Sequence, residues 1–105
     1  MLASNHYWDG LEGFDRLLEH RVRLGILVLA SNADALSFSR LKQLLNETDG
    51  SLGTHLRKLE DAGYLAVRKE FRNRRPVTWY SLTPTGNKAL KVHTQSLSRL
   101  ISKSG

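Results

Sequence analysis

The sequence predicts an α+β fold, mainly α, in the order helix, helix, helix, hairpin, helix. Three observations predict it. Apolar residues recur at steps of three and four through much of the first 62 positions, which is the helical period. After Gly63 the pattern switches to two stretches rich in aromatic and β-branched residues around a polar tip, which is the signature of an antiparallel hairpin. Thr83-Pro84 then opens another helical segment, with Thr as the cap and Pro at the first helical position, where its missing N–H costs nothing.

Each element has its own local reason. Met1 to Asn5 carry little to fix them. From Tyr7 the apolar series Leu11, Phe14, Leu18, Val22, Ile26 and Leu29 runs at helical spacing. Gly10, Gly13 and Gly25 interrupt it and lower helix propensity, so a broken or two-part helix is predicted, best formed over 16–31. Ser31-Asn32-Ala33-Asp34 ends it as a polar turn. Ser37 caps a second helix carrying Phe38, Leu41, Leu44 and Leu45. After the turn 46–50, Thr48 or Asp49 caps a third, 49–62, with Leu52, Leu56 and Leu59 on one stripe. Gly63 sits where a left-handed C-terminal cap belongs. Residues 64–71 and 77–82 form the hairpin strands, with 71–76 as the tip and Pro76 at the edge of the loop. Leu90, His93, Leu97, Leu100 and Ile101 line one side of the last helix.

Composition sets limits. With 105 residues the chain reads as one domain over 1–105. Sixteen Lys and Arg against ten Asp and Glu give a net charge of +6, which favours a polyanionic partner. No cysteine is present, so disulfides, Cys-ligated zinc and thiol catalysis are excluded. The longest apolar run, Ile26 to Ala30, is too short to span a bilayer, and no basic stretch with an apolar core opens the chain. A cytoplasmic location and no membrane partner are expected.

Helices 37–45 and 49–62, joined by a short turn, make a helix-turn-helix pattern whose second helix is the reader. At 100° per residue the three leucines cluster, while Thr54, Arg57, Lys58 and Asp61 fall opposite, flanked by Ser51 and His55. Hydroxyls and an imidazole reach base edges or phosphates; Arg and Lys neutralise phosphate charge. The hairpin tip adds Arg72, Arg74 and Arg75, whose planar guanidinium groups suit phosphate. The expected DNA-binding set is therefore Ser51, Thr54, His55, Arg57, Lys58, Arg72, Arg74 and Arg75. A solvated helix face and a solubilising turn are the plainer readings of either feature alone.

From about Phe14 to Leu90 the chain resembles the winged-helix transcriptional regulators, and most closely their MarR/ArsR-like branch. The residues that carry the likeness are Arg21 to Leu27, Phe38-Ser39-Arg40-Leu41, Leu52 to Leu65 and Arg75 to Gly86. The resemblance implies a homodimer acting on double-stranded DNA, with each recognition helix in a major-groove half-site and each wing on flanking backbone. It implies a transcriptional regulator, more often a repressor. Metal-sensing relatives use cysteines, absent here, and relatives that sense phenolic molecules have longer dimerisation helices. The residues name no small-molecule effector.

Tyr7, Trp8, Leu11 and Phe14 at one end, and Leu90, Leu97, Leu100 and Ile101 at the other, exceed what one small domain covers; 6–19 and 84–102 are read as dimerisation elements. Packing of the two ends on each other within one chain is the competing reading. His6, His20, His55 and His93 show no ligand spacing, so no metal is expected, although a dimer can bring His20 or His93 near its mate. Trp79 is placed on the outward face of its strand, opposite Tyr80 and Leu82. No phosphate-cradling glycine loop and no nucleophile-base pair occur, so neither enzymatic activity nor a cofactor is expected. The rival function is a winged helix used for protein–protein interaction; RNA binding by shape is a lesser one.

Overall fold

The computed structural model describes residues 15–104. A short 3₁₀ helix, Arg16–Glu19, precedes α1 (Arg21–Ser31), β1 (Leu36–Ser37), α2 (Phe38–Leu45), α3 (Asp49–Asp61), β2 (Leu65–Arg72), β3 (Arg75–Leu82) and α4 (Pro84–Ser104). The strands form an antiparallel sheet in the order β1-β3-β2. Four α-helices and this small sheet make the predicted mainly helical α+β fold, a winged helix.

The segment 16–31, expected as the best-formed helix, is itself in two parts; Gly10 and Gly13 lie outside the described residues, and Gly25 is not the cause. The break falls at His20, whose backbone is extended and whose Nδ1 accepts from the Val22 N–H to cap α1. Gly25 lies inside α1, where a Cβ would come to 3.1 Å from Leu45 Cδ2; it allows α1 and α2 to approach closely. Ser37 Oγ caps α2 by accepting from the Arg40 N–H, and Thr48 Oγ1 caps α3 by accepting from the Ser51 N–H. Asn46 takes a left-handed conformation to end α2. Gly63, at φ 80°, ends α3 while its N–H reaches Glu60 O and the Tyr64 N–H reaches Leu59 O. That pair of bonds satisfies two carbonyls the helix leaves over.

The sheet departs from expectation at three places. β1 was not foreseen: Leu36 and Ser37 pair with Tyr80 and Trp79. The hairpin tip is narrower than 71–76, because only Asn73 and Arg74 form the turn, both at positive φ. Pro76 stands inside β3, opposite Phe71, rather than in the loop. Pairing alternates from the hydrogen-bonded closing pair Arg72 and Arg75, so Phe71 and Pro76 form a pair that needs no N–H. β1 ends before it reaches Pro76, so no ladder bond is lost on the other edge either.

Leu18, Ile26, Leu27, Leu41, Leu52, Leu56 and Leu59 are the fully buried heart of the core. The predicted leucine stripe of α3 is thus entirely inside, and it fixes which side of that helix faces out. Leu44, by contrast, is exposed. Leu90 and His93 of α4 are buried, and past Ser96 no described side chain of α4 is. The radius of gyration, 16.0 Å, exceeds the roughly 13 Å of a compact domain this size, and the molecule measures 56 × 24 × 23 Å. The later part of α4 overhangs the body.

Gly86, at the start of α4, is required by a close approach of the backbone. A Cβ there would lie 2.3 Å from the Tyr64 carbonyl oxygen and 2.9 Å from Leu82 Cδ1. That carbonyl accepts from the Thr83 N–H, so it cannot retreat freely. Gly86→Ala should cost about 3 kcal/mol of stability through forced backbone movement, read in a chemical denaturation curve; an unchanged midpoint would refute the close approach.

Candidate nucleic-acid interface

The reading face of α3 is built by exclusion. With Leu52, Leu56 and Leu59 committed to the core, Thr54, Arg57 and Lys58 are exposed. Thr54 Oγ1 donates to Gly50 O, an internal bond that an outside acceptor can replace. Among the described residues no carboxylate pairs with Arg57 or Lys58. The hydrophilic side, on which Asp61 is also exposed, is therefore open to solvent, and its two cations are not spent on the protein itself.

Ser51 and His55 stand differently. Ser51 is half-buried, and its Oγ donates to Glu47 Oε1 at 2.6 Å. His55 is half-buried on the flank that meets α1. Its ring lies 4.3 Å from the ring of His20, centroid to centroid, and its Nδ1 is 3.1 Å from Arg23 Nη1. A guanidinium only donates, so Nδ1 accepts, and the imidazole is neutral with its proton on Nε2. Arg23 is itself anchored, its Nε donating to Leu17 O at 2.7 Å. The reading helix is thus clasped to the N-terminal end of α1 by Arg23 and His20, two residues the sequence did not mark for this role. Their separation from His55 along the chain hides the contact.

Protonating His55 works against this clasp. Burial, then the charges of His20 and Arg23, then Lys58, hold its pKa below the ordinary 6.5, with only Glu47 pulling upward. The unfolded chain therefore takes up the proton first as pH falls. Stability from this group is complete above 6.5 and is lost as pH drops through 6.5 towards the lower folded value. The melting temperature should fall more between pH 7.5 and 5.5 for the native chain than for His55→Gln. Equal losses would show that His55 does not couple to folding.

The wing carries the other three candidates. Arg72, Arg74 and Arg75 are all exposed at its end. Arg72 lies over the Trp79 ring at 5.6 Å from its centroid. Trp79 Nε1 donates to Glu70 Oε1 at 3.0 Å, and Arg68 Nε stands 3.4 Å from Glu70 Oε2. Trp79 thus braces the outer face of the hairpin. Arg74 and Arg75 have no acidic partner among the described residues. Between α3 and the wing runs an open groove of about 410 Å³, lined by Phe38, Arg57, Lys69, Thr78 and Tyr80 among others. Lys69 adds a cation to this cleft that sequence reading left out.

His93 is buried, with its Nδ1 accepting from the Asp15 N–H at 3.2 Å. The Asp15 carboxylate in turn accepts from the Tyr64 hydroxyl, which, with burial, pushes the phenol up to about 12. This histidine belongs to the inside of one chain. His6, Tyr7, Trp8, Leu11 and Phe14 lie outside the described residues.

A leucine-anchored helix with a free basic face, set beside an arginine-tipped ribbon, defines a winged helix-turn-helix DNA-binding module. The chain belongs to the winged helix DNA-binding domain family, whose profile matches residues 22–101. An uncharacterised protein of Methanocaldococcus jannaschii is 35% identical over 79 residues, covering 75% of this chain and 86% of the relative. The transcriptional regulator homologue of Pyrococcus horikoshii superposes with a TM-score of 0.81 at 28% identity, over 92% of this chain and 94% of that one. HlyU of Vibrio cholerae, at 24% identity and a TM-score of 0.62 over 81% and 84% of the two chains, shares the fold. The protein is a winged-helix transcriptional regulator.

Proposed function

We propose that this regulator is a homodimer that binds a specific double-stranded DNA site and represses transcription there. Helix α3 enters the major groove, where Thr54, Arg57 and Lys58 contact bases and phosphates. Ser51 and His55 flank it: Ser51 is freed towards phosphate when it lets go of Glu47, and the neutral Nε2–H of His55 is a donor to the same strand. Arg72, Arg74 and Arg75 hold the flanking backbone. The observation that carries this reading is the basic face of α3, unpaired by any described acid and opening on the same groove as the wing.

Pairing of two copies is supported by α4. Leu97 is 42% exposed and Ile101 64%, two apolar side chains one turn apart on the same face of a helix that overhangs the body. Of the segment 6–19, also expected at the interface, Leu18 is wholly buried in the core of its own chain, and residues 6–14 lie outside the described ones. Two copies related by a two-fold axis match a palindromic site with half-sites about one helical turn apart.

The test is recovery of genomic fragments on the immobilised full chain at moderate salt, followed by sequencing. A shared inverted-repeat site among the fragments is the expected result. Fragments without a common site would leave only the electrostatic part of binding. No retained fragment, alongside a stable complex with another protein, would replace this reading with a protein-interaction role.

A further inference from the structure

We infer that Phe71, backed by Pro76, is an apolar wedge that enters the minor groove beside the reading helix and partly unstacks one base step, bending the duplex. The inference rests on the DNA-binding reading and deepens it.

Phe71 is 77% exposed, well beyond Ile101 at 64%, the next most exposed large apolar side chain among those described. It stands one residue from the turn, directly opposite Pro76, which is also exposed. As a pair that is not hydrogen-bonded, the two side chains come close and share a face. Alternation sorts the ribbon. Arg72 and Arg75 lie with Glu70 and Trp79 on the outer face, where the Arg72 guanidinium rests over the indole. Phe71 and Pro76 lie with Lys69, Thr78 and Tyr80, on the face that borders the groove against α3. The apolar pair therefore faces the side from which the reading helix would meet DNA.

The surroundings select the occupant. A stable protein partner needs about 800 Å² on each side, and one aromatic ring offers at most about 250 Å². The patch is too small for a protein, and it stands at a ribbon end that carries Arg72, Arg74 and Arg75, with Lys69 on its own face. A small apolar plate at a cationic ribbon end suits a base step between two phosphate backbones. Pro76 adds a rigid backing with no rotamer freedom to lose. The tight turn at Asn73 and Arg74 keeps the ribbon end narrow.

The probe is a short duplex carrying the best fragment recovered from genomic DNA. It bears dyes at its two ends and a fluorescent adenine analogue placed singly at successive flanking steps. The native chain should brighten the analogue at one step on each flank and shorten the end-to-end distance. Phe71→Leu should keep both signals, because any apolar side chain of that reach can wedge. Phe71→Ala should lose both and bind about tenfold more weakly, while melting like the native chain. Arg74→Ala should lose affinity and salt dependence yet still brighten the analogue. A Phe71→Ala variant that bends and brightens the duplex like the native chain overturns the wedge, as does a native chain that binds without doing either. A native chain that retains no duplex sinks the DNA-binding reading and the wedge with it.

Discussion

Replacing Arg74 and Arg75 together by alanine is expected to lower the slope of log affinity against log salt by about two and to weaken binding about thirtyfold near physiological salt. Each guanidinium that meets a phosphate releases close to one condensed counterion, and the entropy gained by that release shrinks as the salt concentration rises. Both side chains are exposed and lack an acidic partner among the described residues, so their loss should leave the melting temperature unchanged. The effect should be the same on every duplex sequence, because phosphates carry no sequence. Arg72 is a useful contrast. Its guanidinium already rests on Trp79, so reaching a phosphate means giving up that contact, and Arg72→Ala should change the slope less. Titrating each variant against one duplex at several salt concentrations decides the matter. An unaltered slope for the double variant would remove the wing from the interface.

The second large effect is expected at the far end of the molecule. Leu97→Asp with Ile101→Asp places two carboxylates on the exposed apolar row of α4. If that row joins two copies, sedimentation should show a folded monomer. Apparent affinity for a palindromic site should then drop by about two to four orders of magnitude, since each half-site is now met singly. The fold should survive, because the core-facing residues of α4, Gly86, Leu90, His93 and Ser96, all lie nearer its start. A doubly substituted chain that remains dimeric would place the interface elsewhere.

What the sequence disclosed divides along lines of range. The leucine stripe of α3, the Ser37, Thr48 and Thr83 caps and the Gly63 terminus are decided within a turn or two of helix, so spacing alone reveals them. The arginine cluster is likewise a local fact, and its exposure follows from its place in a hairpin. β1 escaped because two residues have no period; only the presence of Tyr80 and Trp79 alongside makes them a strand. Pro76 was read by its missing donor, yet that donor is not needed at a position which the turn geometry sets. The break at His20 lies inside the segment that spacing marks as the best helix; glycine propensity does not reveal it, because the capping imidazole determines it. The place of His55 on the flank of α3 follows from spacing. Its clasp by Arg23 and His20 depends on how α1 crosses α3, which no local pattern encodes.

Asp15 has a consequence for how rigidly the two working ends are joined. Its amide is fastened to His93 on the strut that would meet a second copy, and its carboxylate to Tyr64 at the root of the ribbon. One amino acid is thus a rivet through both parts. Tilting the strut without tilting the ribbon would shear it. A pair of copies held in this way should present their two grips at a fixed pitch, tolerating little change in the distance between the half-sites they span.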